Sequence, residues 1–128
     1  MGNFRQITPF MHAPDLEQAI DFFRDLLGFE LVVRTRDYAY LHRETAGIRI
    51  LQNRGSDGAP PGNRRFAYYV DVRDVDALFE ELKPKLERLP EGDVHGPCDK
   101  EYGQRELALA APDGNLIVFG HEISDKGG

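Results

Sequence analysis

The chain is 128 residues long, 41% apolar and 30% charged, a composition that suits one globular domain able to bury its own core. A net charge of −6 argues against nucleic-acid partners, whose affinity comes from neutralising phosphates with Lys and Arg, and no apolar run is long enough to span a membrane. Cys98 is the single cysteine, so no intrachain disulfide forms; with a start, Met-Gly-Asn-Phe-Arg-Gln, that lacks the apolar core of a signal peptide, the expectation is a cytoplasmic protein.

In chain order, Gln6 to Met11 reads as a short strand, and Pro14-Asp15 as a helix entry. Asp15 is a good N-cap, Gln18 has capping-box spacing, and Leu16, Ala19, Ile20, Phe23, Leu26 and Leu27 fall on one helical face until Gly28 stops it. Phe29 to Thr35, Tyr38 to Arg43 and Gly47 to Gln52 are rich in β-branched and aromatic residues and read as a three-strand meander. The stretch from Asn53 to Asn63 carries Gly55, Gly58, Pro60, Pro61 and Gly62, which suits a link and not a strand. Phe66 to Val72 is again a strand. Asp74 then caps a helix with Val75, Leu78, Phe79 and Leu82 on its apolar face, and Pro84 is expected to end or kink it. Arg88 to His95 reads as a broken strand, Glu106 to Ala111 and Asn115 to His121 as regular ones, with Pro112-Asp113-Gly114-Asn115 turning between them.

The segments opening at Asp15 and Asp74 share one plan, about half the chain length apart, each directly after an apolar strand. Such a duplication predicts an α+β domain of two βαβββ units, about 6–52 and 65–121, joined by a linker 53–64. The expected result is an eight-stranded curved sheet, a cup, with the helices on its outer face.

The stretches Asp15-Leu-Glu-Gln-Ala-Ile-Asp-Phe-Phe-Arg-Asp-Leu-Leu-Gly-Phe, Val70-Asp-Val-Arg-Asp-Val-Asp-Ala-Leu, Tyr102-Gly-Gln-Arg-Glu and Pro112-Asp-Gly-Asn-Leu-Ile-Val-Phe, in this order and with these gaps, resemble the vicinal-oxygen-chelate superfamily of glyoxalases, bleomycin-resistance proteins and dioxygenases. The resemblance implies metal corners at Thr8, at Arg65 or Ala67, at Val118 and, by the internal repeat, at Leu51. None is a usual ligand for a divalent ion. It therefore points to the metal-free bleomycin-resistance-type branch, in which two chains pair and sequester a ligand without changing it, with no metal, no cofactor and no catalytic residue. The alternative it leaves open is a metal-dependent lyase, isomerase or dioxygenase that recruits His12, His42 and Glu106.

Strand alternation places Thr8, Phe10 and His12, Arg49 and Leu51, Arg65, Ala67, Tyr69 and Asp71, and Leu116, Val118 and Gly120 on the face opposite the helices. From these, Phe10, Arg49, Leu51, Tyr69, Leu116 and Val118 are expected to line the ligand groove, with Glu106 at its rim to receive a cationic group. The implied partner is a small planar or cationic molecule, and the implied assembly a homodimer that closes grooves left open in one chain. His95 and His121 show no metal spacing with the other histidines, and Cys98 is placed in a loop as a passive thiol.

Overall fold

In the computed structural model, which describes residues 2–3, 5–53 and 66–123, the chain divides between Arg64 and Arg65 into two units of one plan. Each is a strand, a helix and three further strands, and each holds a four-stranded sheet with its first strand parallel to its last. The fold is α+β with two four-stranded sheets. The linker expected at 53–64 lies, apart from Asn53, outside the described residues, as does Arg65.

In the first unit, β1 (Phe10–Ala13) pairs with β4 (Ala46–Gln52), followed by β3 (Tyr38–Arg43) and β2 (Glu30–Arg34) at the far edge. The first strand starts at Phe10 and not at Gln6. Pro9 has no N–H to give a ladder, and only its carbonyl is used, accepting the Arg49 N–H at 3.0 Å. Helix α1 (Leu16–Asp21) begins as the cap predicts, with Asp15 Oδ1 accepting the Gln18 N–H at 3.1 Å. It then widens into a π-turn, Phe22–Leu26, closed by the Leu27 N–H on the Phe22 carbonyl at 3.2 Å. The extra residue per turn keeps Phe23 and Leu27 buried and leaves Leu26 only half-buried, although helical spacing puts all three on one face. Gly28 takes φ +77°, the left-handed position that ends the segment. Leu16, Ile20, Phe23 and Leu27 bury themselves with Met11, Leu41, Ile48 and Ile50 of the sheet, and α1 packs on β3 and β4. Each large side chain sequestered there contributes about 1.5–3 kcal/mol.

In the second unit the order is β5 (Ala67–Asp71), β8 (Leu116–Glu122), β7 (Gln104–Ala110) and β6 (Val94–Asp99). Asp74 Oδ1 caps helix α2 (Val75–Leu86) by accepting the Ala77 N–H at 3.0 Å. Proline does not end this helix: α2 runs past Pro84 to Leu86, because burying Leu86 with Leu82 offsets the missing hydrogen bond. A second correction concerns β6. Residues 88–93 are turns and bends, and the strand begins at Val94, so Cys98 stands on an exposed edge strand opposite Glu106, not in a loop. The Gly96-Pro97 pair, part of the expected loop, forms a bulge between His95 and Cys98, tolerated because an edge strand has one unpaired side. Gly96 is needed there: at φ +96° any Cβ would run into the Glu106 carbonyl. The Pro112–Gly114 turn is a single 3-10 turn locked by buried Asn115, which donates to the Pro112 carbonyl at 2.9 Å and accepts the Phe66 N–H at 3.2 Å.

Candidate functional site

Because side chains alternate along a strand, covering one sheet face with a helix leaves the other set of residues uncovered. In the first unit the uncovered face is a grid of aromatic and basic groups. One row is Phe10, Arg49 and Tyr40, in register across β1, β4 and β3; the next is His12, Leu51 and Tyr38. The Arg49 guanidinium lies 5.0 Å above the Tyr40 ring and donates to the Tyr38 hydroxyl. Phe10 sits edge-on to both His12 and Tyr38, at centroid distances of 5.8 and 6.1 Å, and is 48% exposed. Tyr40 stacks on His42, and its ring lies over Gly47, where a Cβ would come within 2.8 Å of its hydroxyl. Asn53 holds the His12 ring at 3.0 Å. A planar cation braced between tyrosines, beside exposed rings, can stack on a flat ligand and donate to an oxygen acceptor at the same time.

The corresponding face of the second unit is built around an acid. Glu106, expected at the groove rim, is only 7% exposed: β7 is flanked on both sides, and the carboxylate lies under its neighbours. Its Oε2 accepts the Tyr102 hydroxyl at 2.7 Å, from a ring that is itself 68% exposed. Tyr69, also facing outward, donates to Gln104 Oε1 at 3.0 Å, and its hydroxyl end is pressed against Gly120 with the Glu106 carboxylate beside it. Loss of solvent at that end, then the neighbouring carboxylate, pushes the Tyr69 phenol up to about 12. The hydrogen bond to Glu106 likewise raises Tyr102. Both phenols are thus held as donors. Leu116 is half-buried and Val118 buried, in register with Ala67 and Tyr69 respectively.

The structure therefore brings Phe10, Arg49 and Leu51 together on one unit, and Tyr69, Glu106, Leu116 and Val118 together on the other. Tyr38, Tyr40, Gln104 and Tyr102 were missed as contributors. The alternation Tyr38-Ala-Tyr-Leu-His already carries the first two, whereas the reach of Tyr102 back to Glu106 depends on the turn at 100–103.

The metal corners implied by the family pattern fall on Thr8, on Arg65 or Ala67, on Val118 and on Leu51, residue types whose side chains do not fit a dication. Among the described residues, no three His, Cys, Asp or Glu side chains gather into a group that could hold one. A polar depression on the second unit, lined by Arg73, Asp76, Asp99, Arg105, His121 and Glu122 among others, is occupied by an ion cluster. There Arg105 reaches Asp76 at 3.0 Å and Asp99 at 2.9 Å, which raises its pKa and holds Asp76 below the usual carboxylate range.

Known proteins share this fold. The profile of the Glyoxalase/Bleomycin resistance protein/Dioxygenase superfamily matches residues 7–119. A bleomycin resistance protein of Geobacillus stearothermophilus is 26% identical over 131 aligned positions, covering 92% of this chain and 97% of that protein. The bleomycin-binding protein of bleomycin-producing Streptomyces verticillus, solved with copper(II)-bleomycin, superposes with a TM-score of 0.72 at 26% identity, covering 93% of this chain and 97% of that one. The bleomycin resistance determinant encoded on transposon Tn5 shares the fold, with a TM-score of 0.75 at 21% identity over 94% of this chain and 99% of that one. With two βαβββ units, a family match spanning most of its length and relatives aligned nearly end to end, the chain belongs to the Glyoxalase/Bleomycin resistance protein/Dioxygenase superfamily.

Proposed function

We propose that this protein binds and sequesters a bleomycin-like, planar or cationic small molecule without altering it, as a metal-free cytoplasmic homodimer. The observation that carries the reading is the pairing of chemistry on its two uncovered sheet faces: an aromatic and arginine platform on one unit and a buried acid ringed by phenol donors on the other. Such surfaces hold flat, polar ligands by stacking and directed hydrogen bonds. The full-length similarity to bleomycin resistance and bleomycin-binding proteins supports the ligand class. Exposed Phe10, Val33, Phe66, Tyr69 and Tyr102 support self-association, since such side chains in a monomer are left in water. The net charge of −6 disfavours a nucleic-acid partner.

Isothermal titration with bleomycin, metal-free and as the copper(II) complex, tests the reading, with gel filtration alongside. Saturable binding with the drug recovered intact, by a protein that elutes as a dimer, is the expected result. No heat of binding to either form, or chemical conversion of the drug, would overturn it.

A further inference from the structure

Glu106 is more than nine-tenths buried and, among the described residues, makes no ion pair; the groups that reach its carboxylate are neutral phenols, Tyr102 and Tyr69. Removing a carboxylate from water costs several kcal/mol, and neutral donors return only part of that. Charge-assisted hydrogen bonds are roughly twice as strong as neutral ones, so a cation arriving at this carboxylate has much to gain. The cover over Glu106 is also removable. Tyr102 sits at the turn between β6 and β7, its ring is mostly in solvent, and the contact that ties it down is the 2.7 Å hydrogen bond to Oε2. By contrast Tyr69 is fixed at both ends, in β5 and against Gly120 and Gln104, and forms a standing wall of the same small site. Arg105, the next residue along β7, is committed to Asp76 and Asp99 and is not the missing counter-charge.

We propose that Glu106 is the anchor for a cationic nitrogen of the ligand, an ammonium or amidinium, and that the Tyr102 hydroxyl is a place-holder that this nitrogen displaces. The released phenol ring then covers the bound group. This inference rests on the sequestration reading above and names the group of the ligand that the second unit recognises.

The test compares wild type with Glu106→Gln and Tyr102→Phe in titrations with bleomycin, and in protein NMR with benzamidinium chloride against neutral benzamide. Glu106→Gln should weaken bleomycin by about 10- to 100-fold, the range expected for loss of a charge-assisted bond. Tyr102→Phe, which removes the competing donor, should bind the drug as tightly as wild type or tighter, which a purely structural Tyr102–Glu106 pair would not produce. Benzamidinium, but not benzamide, should shift the backbone resonances of residues 102–106 in wild type and not in Glu106→Gln; thermal melts confirm that both variants fold. If bleomycin binds wild type and Glu106→Gln equally, the anchor is wrong while sequestration stands. If bleomycin does not bind at all yet benzamidinium gives the Glu106-dependent shifts, the anchor holds and the sequestration reading falls. Silence from both probes sinks both.

Discussion

His121 Nδ1 accepts the backbone N–H of Val75 at 2.8 Å, tying the first turn of α2 to the last strand of its sheet. The duplicated position in the first unit is filled by Gln52, whose Oε1 accepts the Leu16 N–H at 2.9 Å. The first N–H groups of a helix have no partner within it, so both units supply one from the strand that the helix packs beside. An amide and an imidazole do the same work. Replacing His121 by Gln should therefore leave stability within about 0.5 kcal/mol of wild type, whereas His121→Ala should cost about 1–2 kcal/mol by orphaning a half-buried donor. Urea unfolding of the two variants checks this, and equal losses would remove His121 from the cap.

Gly120 is required by Tyr69. A methyl at position 120 would occupy the space of the Tyr69 hydroxyl, and β8 is a central strand that cannot step aside. Gly120→Ala should destabilise by roughly 1–3 kcal/mol through overpacking. In the Tyr69→Ala background the same change should cost far less, giving a coupling that a double-mutant cycle reads directly. Additivity in that cycle would count against the contact.

Tyr69 also makes a prediction about pH. Its phenol is raised from 10 to about 12, so in a spectrophotometric titration one of the five tyrosines should ionise about two units late. Because the folded value lies above the unfolded one, the stabilisation linked to Tyr69 is fully present below pH 10 and is lost as pH rises through about 12. Glu106→Gln should bring the late ionisation earlier, and an unchanged titration would show that the carboxylate is not a contributor.

On the first unit, Arg49 is stacked on Tyr40 and bonded to Tyr38, a geometry that a lysine ammonium cannot reproduce. Arg49→Lys should weaken bleomycin binding by about 2- to 5-fold with little change in melting temperature, because the contact is at an exposed surface and a cation–π pair there is worth about 0.5–1 kcal/mol. Calorimetry on this variant separates charge from shape: full affinity would mean that positive charge alone suffices.

The periodic signals in the sequence were enough for the element order. Asp15 and Asp74 cap helices as read, Gly28 stops the first segment, and strand parity correctly grouped Phe10 with Arg49 and Leu51, and Tyr69 with Val118. These features are local or follow from a two-residue repeat, so they survive in a one-dimensional pattern. Where the structure departs from a local rule, tertiary burial or strand pairing outweighed it. Burial of Leu86 beside Leu82 carried α2 past Pro84, and pairing with β7 turned Gly96-Pro97-Cys98 from a loop into a bulged edge strand.

The site divides in the same way. Sequence alone was enough to place Thr8, Arg65 or Ala67, Val118 and Leu51 at the corners that the family pattern implies, none of them a usual ligand, since ligand chemistry is a property of side-chain type. It could not tell that Glu106 lies buried, that Tyr102 caps it, or that Arg49 is braced between two tyrosines. Solvent exposure and hydrogen-bond geometry are set by which strands become neighbours, and that choice is made only when each sheet assembles.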